Sequence, residues 1–213
     1  MTRRQSRAAL RHASLYLILE AAAIDVVGPA LEGGVDVVQL RDKHAPDGEI
    51  VAAGRRLAAL CHEHGALFLV NDRPDLALEC EADGVHVGQD DDAVGSVRAL
   101  AGNRLIVGVS THSPEQVAAA EDSDADYFAV GPVHETPTKP GRPAVGLELV
   151  RHAAEAATKP WFAIGGIDTS NAGDVVAAGA RRLAVVRAIR DASDPRTAAA
   201  ELRVAIGAEA LRG

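Results

Sequence analysis

Short apolar runs alternate with longer segments of helical period along this chain, and the pair recurs eight times. The runs are Leu15–Leu19, Val35–Leu40, Leu67–Asn71, Gly84–Val87, Leu105–Ser110, Tyr127–Val130, Trp161–Ile164 and Arg182–Val186. Between them lie segments such as Gly48–His64, Pro114–Glu121, Leu147–Ala157, Asn171–Ala178 and Thr197–Leu211, rich in the Ala, Leu, Glu and Arg that suit helices. Strands that read as continuous Val/Ile/Leu runs, each followed by a helix, imply a parallel sheet covered by helices. Eight such units predict an α/β fold closed into a (β/α)8 TIM barrel. Small turn residues before the next strand, as in "HGALFLV", "EADGVHV" and "AGARRLAVV", let the chain leave a helix and re-enter the barrel. A doubly wound sheet is the rival, but it usually has about five to seven strands and a glycine-rich turn after the first. Nothing after Leu19 resembles that turn.

No linker or composition break divides the 213 residues, so a single barrel domain over 1–213 is expected. Residues 1–13, with Arg3, Arg4, Arg7 and Arg11, read as a flexible basic tail. The net charge of -8 and 3% aromatic content argue against a nucleic-acid surface. Cys61 and Cys80 fit no metal or redox spacing and read as buried thiols of a reducing compartment. No apolar run approaches the roughly 20 residues of a membrane span. A cytoplasmic protein without membrane partners is therefore expected. Outer helix faces rich in Ala and Leu suit packing within the barrel or against a second subunit, so a homo-oligomer stays open.

In a barrel of this kind the chemistry sits at the C-terminal ends of the strands. Strand two ends in Gln39, Arg41, Asp42 and Lys43; strand three in Asn71 and Asp72; strand four in His86, Gln89, Asp90, Asp91 and Asp92. Strand five ends in Ser110, Thr111 and His112, strand six in "GPVHETPTKPGRP", strand seven in Gly165 and Gly166, strand eight in Arg187. Singly, "NDRPD" is turn and capping chemistry and "GQDDD" an acidic helix start. Together these clusters put complementary charges on one rim.

Asp72 and Asp91 come from adjacent strand ends and suit a hard cation, with Mg²⁺ the natural occupant. It keeps waters and takes further ligands from a phosphate, which Arg41, Lys43 and Lys139 would surround. That combination suits a pyrophosphate. "IGGI" before a helix, with a basic residue closing strand eight, matches the common phosphate site after strands seven and eight. Two phosphorylated ligands at one mouth imply a transferase.

The motifs "VVQLRDK", "LVNDRPDLAL", "ADGVHVGQDD", "VGVSTHS", "DYFAVGPVHETPTKPG", "WFAIGGI" and "LAVVRAI" run in order from about Leu15 to Ile189. In them the chain resembles the thiamine phosphate synthase (thiamine-phosphate pyrophosphorylase) family. The resemblance implies coupling of 4-amino-5-hydroxymethyl-2-methylpyrimidine diphosphate to a thiazole phosphate, carboxylated or aromatic, giving thiamine phosphate and pyrophosphate. It implies that Gln39, Arg41, Lys43, Asn71, Ser110 and Lys139 hold the pyrimidine diphosphate, with Leu40 and Asp42 in the same substrate-binding segment. Arg41, Lys43, Ser110 and Lys139 would serve catalysis, and Asp72 and Asp91 would bind Mg²⁺. Thr136, Pro137 and Thr138, with Gly166 and Val186–Arg187, would hold the thiazole phosphate. The loop carrying them would act as a lid. The implied course is dissociative, the pyrimidine methylene leaving pyrophosphate as a cation that the thiazole nitrogen captures, with no side-chain nucleophile.

Two positions depart from the family's pattern: Arg187 stands where many members carry serine, and His134 where an apolar or aromatic residue is usual. The rivals are a related thiazole tautomerase, a Schiff-base aldolase using Lys43 or Lys139, and a non-catalytic phosphate-binding barrel. The tautomerase would act through a histidine where this chain has Pro132.

Overall fold

The computed structural model describes residues 3–89, 94–136 and 143–210. Eight parallel strands close into a barrel in sequence order: β1 (Leu15–Leu19), β2 (Val37–Leu40), β3 (Leu67–Asn71), β4 (Gly84–Val87), β5 (Ile106–Thr111), β6 (Tyr127–Val130), β7 (Trp161–Ile164) and β8 (Leu183–Val185). Closure is made by β8 against β1, with Tyr16 opposite Ala184. Helix α1 (Arg3–His12) precedes the barrel. A 3-10 turn (Ala21–Val26) runs into α2 (Val27–Glu32), followed by α3 (Asp47–Glu63), α4 (Pro74–Glu79), α5 (Val94–Ala101) and α6 (Pro114–Asp122). The chain continues through α7 (Gly146–Ala156), α8 (Ala172–Ala177), the four-residue α9 (Arg187–Arg190) and α10 (Pro195–Ala210).

The apolar residues divide into two clusters because successive side chains of a strand point to opposite faces. Leu15, Leu17, Leu19, Val38, Leu40, Phe68, Val70 and Phe128 pack outward against the helices. Tyr16, Ile18, Val37, Leu67, Leu69, Ile106, Tyr127 and Phe162 fill the barrel interior. Each fully buried Leu or Phe among them contributes roughly 1.5–3 kcal/mol of transfer free energy. Interior space is rationed by glycine: a Cβ on Gly108 of β5 would stand 2.1 Å from the Tyr127 ring. The large ring on β6 is accommodated because its neighbour on β5 has no side chain. Cys61 and Cys80 are buried thiols in the outer shell, and burial pushes both thiols above their ordinary range.

Residues 3–12 are helical, where a frayed basic tail was expected. Ser6, Leu10 and Ala13 are buried and recur at helical spacing, so one face of α1 closes the N-terminal end of the barrel. Ser6 Oγ donates to Asp83 (2.7 Å) and Arg7 to Asp126 (2.7 Å). The arginines that suggested a tail lie on the sides of this face, Arg4 and Arg11 exposed and Arg7 ion-paired. At the second strand the sheet begins at Val37 rather than Val35, since Val35 N–H turns back to the Ala30 carbonyl. Among the described residues no helix is long and apolar enough to cross a membrane.

Candidate active site

A cavity of about 290 Å³ opens at the C-terminal ends of the strands. Gln39, Arg41, Lys43, Asn71, Asp72, Ser110, Thr136, Gly166, Val186 and Arg187 all line it, so residues from separate motifs meet in one space. Asp91, Pro137, Thr138 and Lys139 lie outside the described residues. Leu40 and Asp42 do not line the cavity. The alternation that turns Gln39 inward turns Leu40 outward, where it packs in the helix-facing cluster, 1% exposed. Asp42 shapes its own loop, its carboxylate accepting the backbone N–H groups of Ala21, His44 and Ala45. Alternate residues of "QLRDK", Gln39, Arg41 and Lys43, thus share the cavity, while the side chains of Leu40 and Asp42 lie outside its lining.

One wall is built from a hydrogen-bonded set of inward-facing side chains. Gln39 Nε2 donates to Asn71 Oδ1 (2.9 Å), and Asn71 Nδ2 donates to Asp72 Oδ2. That same oxygen stands 3.3 Å from Lys43 Nζ. On its other side Gln39 Oε1 accepts from the Tyr16 hydroxyl (2.9 Å), which contacts the Tyr127 hydroxyl at 3.1 Å. Tyr127 in turn lies 2.9 Å from His86 Nδ1, and His86 Nε2 lies 3.0 Å from Ser110 Oγ. Burial, reinforced by their mutual contact, raises the Tyr16 phenol well above its ordinary range; burial also raises that of Tyr127, so both stay protonated. His86 was visible in sequence only as a rim residue without a role. Tyr16 and Tyr127 stand in the sequence simply as strand residues, although they are the chain's two tyrosines and a buried phenol needs a partner.

Asp72 adopts a left-handed backbone, φ 61°, uncommon for a residue with a Cβ. Such a conformation costs of order 1–3 kcal/mol and persists where the surroundings fix it. Here Asp72 N–H donates to the His86 carbonyl (2.9 Å) while Arg73 N–H folds back to Asn71 (2.8 Å), which aims the Asp72 carboxylate at the cavity. Arg73 itself, between Asp47 and Asp75 at 2.9 and 2.7 Å, turns away and braces the outside of the loop.

The opposite wall is backbone. Gly165 and Gly166 have φ of 104° and 63°, and a Cβ on either would strike the loop after β6, at Pro132 Cα (2.4 Å) and His134 Cβ (2.7 Å) respectively. Val133 N–H donates to Ile164 O and His134 N–H to Gly165 O, which stacks the two loops and leads Thr136 to the cavity edge. Beside them Val186, Arg187 and Ala188 line the cavity where the chain turns into α9. A first helical turn carries N–H groups without intrahelical acceptors. His134 is half-buried, its Cβ against the space that Gly166 leaves.

The arrangement thus offers an anchored polar wall with one carboxylate, Asp72, and two cations, Arg41 and Lys43, facing a glycine loop, Asp168 and Arg187. Ile18, Ile164 and Ile167 supply apolar surface between them. The family model of thiamine monophosphate synthase matches residues 15–189, a span that contains every described residue of both walls. The chain belongs to the thiamine monophosphate synthase family. It is an enzyme of that class, similar over nearly its whole length to curated relatives. The thiamine-phosphate synthase of Saccharopolyspora erythraea is 51% identical over 215 residues, covering 94% of this chain and 96% of the relative. That of Acidothermus cellulolyticus is 50% identical over 214 residues, covering 96% and 100%. Among solved structures, the thiamine phosphate pyrophosphorylase from Pyrococcus furiosus superposes with a TM-score of 0.86 at 38% identity, covering 95% of this chain and 98% of that one.

Proposed function

We infer that this cavity couples 4-amino-5-hydroxymethyl-2-methylpyrimidine diphosphate to a thiazole phosphate, releasing pyrophosphate and forming thiamine phosphate. The observation that carries the reading is the presence of two unlike walls in one cavity, Gln39 to Asp72 with Lys43 on one side and Gly165–Gly166 with Val186–Arg187 on the other. The first suits a diphosphate-bearing ring and the second a monoester phosphate held by backbone N–H groups.

Arg41 and Lys43 place fixed positive charge where a departing pyrophosphate gathers negative charge, and stabilisation of developing charge is commonly the largest catalytic term. Asn71 and Gln39 are held by each other and by Asp72, so their free edges are oriented before a ligand arrives. The isoleucines exclude water, which would otherwise trap a pyrimidine methylene cation as the alcohol. Asp72 provides a hard oxygen donor at the cavity wall. Two carboxylates make an incomplete cage, so a cation held by Asp72 and Asp91 would keep waters and take phosphate oxygens, which is how Mg²⁺ behaves. Asp72, with Asp91, would hold Mg²⁺, which when bound neutralises charge on the leaving pyrophosphate.

The test is an assay of purified protein with both substrates and Mg²⁺, following thiamine phosphate and pyrophosphate together, with EDTA as control. Metal-dependent formation of both products in equal amounts is expected. Folded protein that isomerises the thiazole phosphate without coupling it would overturn the reading.

A further inference from the structure

Among the described residues, polar side chains inside the barrel form a continuous hydrogen-bonded wire, and with His86 neutral its hydrogens run in one direction. Asp72 fixes that direction because a carboxylate only accepts. Its oxygen is met by Asn71, which must therefore present Nδ2 to Asp72 and Oδ1 to Gln39. Gln39 then presents Nε2 to Asn71 and Oε1 to Tyr16, whose single hydroxyl hydrogen is committed to it. The contact between the two phenols, 3.1 Å, needs a hydrogen that Tyr16 can no longer supply, so Tyr127 donates to Tyr16. By the same count the hydrogen between Tyr127 and the imidazole, 2.9 Å, comes from His86 Nδ1. In the neutral ring Nε2 is then bare, and the 3.0 Å contact to Ser110 is made by the serine hydrogen.

We propose that His86 is a positioning residue, held as the neutral Nδ1–H tautomer by a one-way chain of hydrogen bonds that starts at Asp72. Its consequence is that Ser110 turns its hydrogen inward and offers lone pairs to the cavity. A ligand group at Ser110 is accordingly a hydrogen-bond donor, such as the amino group of a pyrimidine, rather than an ionised phosphate oxygen. That last step rests on the function inferred above; the tautomer does not.

The imidazole hydrogens can be read without any substrate, by long-range nitrogen–proton correlation spectra of the ¹⁵N-labelled full-length protein. The wild type is expected to show His86 with hydrogen on Nδ1 and none on Nε2. Hydrogen on Nε2, alone or on both nitrogens, would overturn the proposal. Tyr127→Phe keeps the ring packing but removes the acceptor of Nδ1–H, so His86 should change to the Nε2–H tautomer; an unchanged tautomer in folded Tyr127→Phe would also overturn it. If that variant fails to fold, the wild-type spectrum still decides. The functional arm is a double-mutant cycle on coupling turnover. Ser110→Ala and Tyr127→Phe should each lower it about tenfold, as for one lost hydrogen bond, and the double variant should fall no further. Additive losses would mean that Tyr127 does not act through Ser110. A protein that shows the Nδ1–H tautomer but no coupling would leave the wire standing and sink the reaction.

Discussion

Aspartates occupy both ends of the barrel, and their surroundings separate structural from chemical use. At the N-terminal end Asp36, Asp83 and Asp126 each precede an even-numbered strand and reach the start of the odd-numbered strand before it. They accept the backbone N–H groups of Leu15, Phe68 and Val107, at 3.0, 3.0 and 2.9 Å. Each also has a basic partner: Arg203 for Asp36, His62 for Asp83, Arg7 and Arg98 for Asp126. The fourth such position, before β8, holds Arg182 instead; burial and the neighbouring Arg181 lower its affinity for its proton. At the C-terminal end Asp72 has a strained backbone and faces open space beside Lys43. A carboxylate that closes all its contacts within the protein staples strands together, whereas one aimed into a cavity by an unfavourable backbone is set for a ligand.

The largest effect that would break this comparison is expected at Asp83, which is 7% exposed and receives Ser6, His62 and Phe68. Asp83→Ala should cost about 3–5 kcal/mol of stability, read by denaturant unfolding, because the groups paired to it lose a buried charge. Turnover per folded molecule should hardly change. Asp72→Asn should do the reverse. Coupling activity is expected to fall about 10²–10³-fold with the unfolding midpoint nearly kept, since asparagine tolerates a left-handed backbone.

A smaller, graded effect concerns pH. The Tyr16 and Tyr127 phenols are raised in the folded state, mainly by burial, so the unfolded chain loses these protons first as pH rises. Their contribution is complete below the usual phenol value of about 10 and declines above it, by about 1.4 kcal/mol per pH unit for each phenol until the folded values are reached. Unfolding measured from pH 9 to about 12 should show that slope, and Tyr16→Phe should make it shallower. The smallest change is expected at exposed Arg187 on the glycine side. Arg187→Ser should move KM for the thiazole phosphate by less than about tenfold and leave stability alone, as expected for a solvent-facing charge contact.

The fold was legible because hydrophobic periodicity reports burial directly: Leu15–Leu19, Leu67–Asn71 and Trp161–Ile164 have the observed strand limits. Helix α1 was not, since its apolar face is only Leu10 and small residues, while four arginines dominate the local composition. The cavity lining could be read from the rule that strand C-termini carry chemistry. Leu40 and Asp42 do not line it, because a motif is contiguous in sequence while side chains alternate in space. The wire from Asp72 to Ser110 is invisible in one dimension. It depends on register, for example Asn71 opposite His86 and Gly108 opposite Tyr127, and register is settled only when the barrel closes.

Helix α1 has a consequence for how the chain is made. It is synthesised before the strands it packs against, and the groups that hold it, Asp83 and Asp126, follow Ser6 and Arg7 by 77 and 119 residues. A segment made ahead of the barrel is therefore among the later ones to dock, and its apolar face stays uncovered while much of the barrel is still being translated.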